Sequence, residues 1–136
     1  MAFTLSFQAN HRYKASETGV TVPVMLISGS QTVKVLAKVD TGADHCIFDR
    51  GYAEALDIDL ERGFRRVFST MTGRFGAYGH EITLVVLGIE VHSDVYFYED
   101  ASFSRNVLGR NGWLNRVRLG LVDHDSELYV SPYNDA

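Results

Sequence analysis

The sequence predicts an all-β fold, a closed β-barrel of many short strands with two short helices, and three observations predict it. First, β-branched and aromatic residues recur in short runs, Val20 to Ile27, Thr32 to Val39, Ile82 to Leu87 and Ile89 to Tyr98, and these residue types pack well on a pleated surface. Second, turn-forming residues punctuate the runs: Ser28-Gly29-Ser30 separates the first two and Gly88 the last two, so each pair reads as a hairpin. Third, only two brief stretches favour helix. Asp49 is placed to cap one over Arg50 to Leu56, where Ala and Glu occur. The other runs over Arg110 to Val117.

The remaining elements follow the same logic. Phe64 to Thr70 reads as strand and is followed by a glycine-punctuated stretch, Thr72 to Gly79. Arg118 to Val122 and Leu128 to Ser131 flank the turn-like Asp123-His124-Asp125-Ser126 and form a last hairpin. Residues 1–136 suit one domain with a real core. With 46% hydrophobic and 22% charged residues the composition is that of an ordinary soluble globular chain. A formal net charge of −4 argues against nucleic acid or an anionic membrane as partner. The stretch Met1 to Asn10 lacks the charged start and unbroken apolar run of a signal peptide, and no run approaches membrane-spanning length. Cys46 is the only cysteine, so neither an internal disulfide nor a Cys-rich zinc site is expected. A cytoplasmic location is the expectation.

The segment with chemical content is Val39-Asp40-Thr41-Gly42-Ala43. Asp40 ends a strand, Gly42 permits a sharp turn that aims a short carboxylate outward, and Ala43 fits a crowded site. An Asx turn, in which Asp40 bonds only local backbone, is the alternative. His45, His80 and His124 match no defensible metal spacing, and Asp123-His124-Asp125 reads as a polar turn. No metal and no cofactor are expected. The glycines after Thr72 lack the strand-turn-helix context of a phosphate loop.

Far downstream lies Asn106-Val107-Leu108-Gly109-Arg110-Asn111. Together with Val39-Asp40-Thr41-Gly42-Ala43-Asp44, this segment resembles the retropepsins, the family of the retroviral aspartic proteases, and more closely the bacterial retropepsin-like proteins. The shared order covers about residues 21–117, leaving an extra N-terminal segment, 1–20, and a C-terminal hairpin, 118–131. The resemblance implies a retropepsin-type barrel with Asp40 as catalytic carboxylate and Thr41, Gly42 and Ala43 as the supporting loop. It also implies that Asp44 pairs with Arg110, and that Val107 flanks the site beside Leu108. Two separate surface charges are the alternative for Asp44 and Arg110. The glycine-rich stretch Ser69 to His80 corresponds to the family's flap, with Gly73, Gly76 and Gly79 permitting tight turns. Phe75 or Tyr78 would cover a bound peptide; core packing is the alternative for both.

Aspartic proteolysis needs two carboxylates sharing one proton. The sequence holds one Asp-Thr-Gly, so the resemblance implies a homodimer to which each subunit gives one Asp40. The implied function is an aspartic endopeptidase acting on peptide or protein substrates. A dimerisation or peptide-binding module of the same fold, without significant activity, is the alternative. Lys38 departs from the family, which has an apolar residue two positions before the aspartate. Residues 38 and 40 share a strand face, and the resemblance implies that position 38 contributes to the pocket wall beside the scissile bond, so Lys38 is a candidate for substrate binding; a stem lying over apolar surface with its head in solvent is the alternative.

Overall fold

The computed structural model describes residues 1–135. The first hairpin joins β2 (Thr21–Ser28) to β3 (Gln31–Val39), with Thr21 opposite Lys38 and Ser28 opposite Gln31. This register leaves Gly29-Ser30 as the loop, and Gly29 takes φ 58°, the left-handed geometry such tight loops need. Val22, Val24 and Leu26 point inward from β2, and Val35 and Ala37 from β3, which is the period-two pattern of a sheet with one buried face. The second hairpin joins β6 (Gly73–Val86) to β7 (Ile89–Tyr98) through Leu87 and Gly88. Both loop residues adopt positive φ, 52° and 80°, as a two-residue turn of this hand requires.

Between these hairpins lie β4 (Ile47–Phe48), α1 (Arg50–Ala55) and β5 (Phe64–Thr70); after β7 comes β8 (Val107–Leu108). The Asp49 carboxylate accepts a hydrogen bond from the Gly51 N–H at 2.7 Å and so caps α1. The strands form a seven-stranded sheet in the order β2-β3-β8-β4-β7-β6-β5, and β2 also pairs with β6. The sheet therefore curls back on itself, but it is not the true closed barrel expected. Among the described residues, the two-residue strands β4 and β8 are its only link on one side, and β5 extends beyond the curl as an edge paired to β6 alone.

The chain ends build a separate layer. β1 (Ala9–Arg12), β9 (Val117–Val122) and β10 (Glu127–Pro132) form a three-stranded sheet in the order β1-β10-β9. The expected C-terminal hairpin is present as β9 and β10, and the N-terminal segment pairs with it. The Tyr13 hydroxyl donates to Asp123, which with burial pushes the phenol up to about 12. Tyr13, Leu128 and Val130 belong to the same buried cluster as Val24, Leu84 and Phe97 of the larger sheet.

The second expected helix does not form. Over Arg110 to Val117 the described chain has only a 3-10 turn, Leu114–Arg116. Asn111 makes a parallel bridge to His45, and Gly112 takes φ 110°, outside helical space. The Leu114 and Asn115 N–H groups reach back five residues, to the Gly109 and Arg110 carbonyls at 3.0 and 2.9 Å. This wide turn places Trp113 wholly inside the core, where its indole N–H finds no partner among the described residues.

Candidate active site

Two segments distant in sequence clasp each other at the end of β3. The Asp40 N–H donates to the Leu108 carbonyl at 3.0 Å, Arg110 N–H to Ala43 at 2.8 Å, and Asn111 N–H to Asp44 at 2.8 Å. The Asn111 amide also donates to the Asp44 carbonyl at 2.8 Å. Gly109 makes the approach possible. A Cβ there would lie 2.3 Å from the His45 carbonyl oxygen and 2.7 Å from that of Ala43, distances no side-chain carbon tolerates. Asn106 extends the clasp, its side-chain oxygen accepting from the Asp49 N–H at 2.9 Å and so tying it to the start of α1.

Asp40 is half-buried at the tip of this structure. Its Oδ1 accepts from the Gly42 N–H at 2.9 Å, and the Ala43 N–H donates to the Asp40 carbonyl at 3.2 Å. The Asx turn weighed from sequence is therefore present, but it occupies one oxygen. Oδ2 has no hydrogen bond among the described residues, and Asp40 lines a cleft of about 240 Å³. Gly42, Ala43 and Asp44 line the cleft floor beside Asp40, with Val107 on the flanking strand. Thr41 is exposed at the turn, outside the cleft.

The roof is the hairpin of β5 and β6. Its turn is Met71-Thr72, since Thr70 pairs with Gly73. Phe68 and Phe75 are directly opposed across it, stacked at 5.3 Å, and both line the cleft.

Several expected site residues lie elsewhere. Tyr78 is three positions from Phe75, hence on the opposite strand face, and packs against the core. Gly73, at φ 146°, serves the hairpin turn and does not line the cleft. Gly76 and Gly79 sit within β6 rather than at turns: a Cβ on Gly76 would fall 2.2 Å from Glu99 Oε2, and one on Gly79 3.0 Å from the Tyr96 ring. The Lys38 stem lies over Gly19, whose own Cβ would be 2.9 Å from Lys38 Cε, so Lys38 follows its surface alternative and does not line the cleft. Asp44 and Arg110 are both exposed and form no ion pair among the described residues. The backbone clasp does the holding, and both charged heads remain in water.

Other cleft residues were missed from sequence: His45, Phe68, Tyr98 and Arg105. The signal for Phe68 was available, because a Met71-Thr72 turn sets it opposite Phe75. His45 packs edge-on against Phe68 at 5.6 Å and Tyr96 at 5.2 Å. Burial, helped by Arg66 and opposed by Asp44, lowers its pKa from 6.5. Burial also pushes the Cys46 thiol up to about 11, which makes it a poor nucleophile.

Two outcomes follow from this geometry. Gly109→Ala overpacks the clasp and lowers stability by about 1–3 kcal/mol, measurable as a reduced urea midpoint. For His45 the depressed folded pKa means that its contribution is complete above the unfolded value of 6.5. It is lost as pH falls through the lower folded value, because the unfolded chain then binds a proton that the folded one resists. Urea midpoints between about pH 7 and 5 therefore decline less steeply for His45→Gln than for wild type.

The aspartyl protease family model matches residues 18–112. No curated protein matches the chain. The matched stretch contains β2 to β8, the clasp, Asp40 and the aromatic hairpin, and excludes all three strands of the smaller sheet. A match over most of the sequence, coinciding with the structure that presents Asp40, shows that the chain belongs to the retropepsin-like aspartyl protease family.

Proposed function

We propose that the protein is an aspartic endopeptidase working as a twofold homodimer, each subunit giving Asp40 to one shared site. The observation that carries this reading is an Asp40 carboxylate with one oxygen held by Gly42 and the other unbonded among the described residues, on a residue that lines a cleft together with Phe68 and Phe75. One such carboxylate is half of the machinery. In the dimer, the two Asp40 side chains share a single proton because like charges so close do not both ionise easily. The ionised member takes a proton from water, and the water attacks the peptide carbonyl. The protonated member donates to the carbonyl oxygen as the tetrahedral intermediate forms. Proton transfer to the amide nitrogen then releases the two fragments.

The rest of the site fits these roles. Thr41, exposed and without a side-chain hydrogen bond among the described residues, is free to bond across the twofold axis. Gly42 lines the cleft and offers its carbonyl to an extended substrate backbone. The β5–β6 hairpin acts as the flap, with Phe68 and Phe75 covering the peptide and excluding bulk water. At about 240 Å³ the cleft of one subunit is smaller than a typical ligand site of roughly 300–1,000 Å³, which suits a cleft completed by a second copy. Met1, Phe3 and Leu5 are exposed along the N-terminal segment and offer apolar surface for that copy to cover.

Asp40→Asn removes the base while keeping the shape and the Gly42 hydrogen bond. Casein or peptide-library cleavage by the folded variant falls by about 10²-fold or more relative to wild type. Full activity in purified, folded Asp40→Asn contradicts the proposal. A wild-type protein that binds peptides but cleaves none favours the binding-module reading.

A further inference from the structure

Arg105 precedes the clasp and lines the same cleft as Asp40, Tyr98 and Val107. Its side chain is exposed and has no carboxylate within 4.0 Å among the described residues. The neighbouring arginines are engaged: Arg65 holds Glu99 at 2.9 Å, Arg50 holds Glu54 at 3.4 Å, and Arg66 donates to the Tyr96 hydroxyl at 3.3 Å. Lys38, the cation the sequence pointed to, lies against Gly19 instead. Beside Arg105 stands an aromatic wall. Tyr98 stacks on Phe103 at 5.1 Å, and Phe75 leans on both at 5.2 and 5.7 Å. Arg105, Tyr98 and Phe75 line one cleft, and the Tyr98 phenol, raised chiefly by burial, is partly restored by the Arg105 charge.

A planar guanidinium recognises carboxylates well, because its fork of donors matches their geometry. Asp40 and Asp44 line the same cleft and repel a substrate carboxylate, which leaves Arg105 as its partner there. Resting on the reading of this cleft as a peptide-binding site, we propose that Arg105 is a specificity-determining residue. It selects substrates with a Glu or Asp side chain near an aromatic or large apolar side chain that packs on Phe75 and Tyr98.

The test measures binding separately from cleavage. Fluorescein-labelled octapeptides with a central Phe-Phe in an alanine background carry Glu, Gln or Lys at each other position in turn. Their affinity for the uncleaving Asp40→Asn protein is read by anisotropy. At one or two positions the Glu peptide binds about two- to fivefold tighter than its Gln twin, the upper part of the range for an exposed charged pair, and the advantage shrinks as salt rises. Arg105→Gln brings the ratio to near one, Arg105→Glu turns the preference to Lys, and Arg105→Lys keeps part of the preference for Glu. The same Glu-to-Gln ratio with and without Arg105, or no measurable binding of any peptide, overturns the proposal. Glu-selective binding with no cleavage by wild type instead rejects the protease reading and leaves the Arg105 assignment standing.

Discussion

Everything at the site depends on two backbone segments coming close enough to hydrogen-bond where Gly109 has no side chain. The carbonyls of Ala43 and His45 occupy the space a Cβ would need. This contact lets Arg110 and Asn111 donate to Ala43 and Asp44, while Leu108 receives the Asp40 N–H. Asp40 is thereby fixed at the end of β3 without an ion pair, and Cys46 is sealed beneath it. The Asn106 bond to Asp49 carries the same order into α1.

The roof is held differently. Its hairpin ends in an exposed Met71-Thr72 turn and is tied to the far end of β7 by the exposed Arg65–Glu99 pair. Such a pair contributes only about 0.2–1 kcal/mol. Gly76 is the neighbour that leaves room for it. The base of the hairpin is fixed by the β6–β7 ladder and by the Glu99 N–H donating to the Gly76 carbonyl at 3.0 Å, and aromatic contacts of Phe68 with His45 and of Phe75 with Tyr98 add to these. A firmly bonded floor beneath a lightly held roof suits a cleft that must admit and cover an extended chain.

Much of this was legible in the sequence because it is local. The hairpins at Gly29 and Gly88 follow from turn chemistry and alternating burial, and the Asp49 cap from a single side chain. Asp40, Gly42, Ala43 and Val107 were expected at the site from the family resemblance, and Phe75 was expected either there or in the core; all five line the cleft. The failures are long-range. The stretch Arg110 to Val117 was expected to be helix, but Gly112 in left-handed space and the Asn111 bridge to His45 give a wide turn instead. Whether Asp44 and Arg110 meet depends on where the chain sends their exposed heads. Lys38 shares a strand with Asp40, yet Gly19 opens a berth that draws its stem away. Arg105 and His45 reach the cleft only through tertiary packing. The curled sheet stays short of a closed barrel because two of its links are two-residue strands.

The central claim is that one site is built from two copies of Asp40, and subunit mixing tests it most directly. Wild-type and Asp40→Asn chains are mixed in varying ratio at constant total concentration, allowed to exchange, and assayed for peptide cleavage. If each site needs an ionisable Asp40 from both subunits, activity follows the square of the wild-type fraction. Activity proportional to the wild-type fraction itself, after exchange has been verified, would show that a single chain is sufficient and contradict the account.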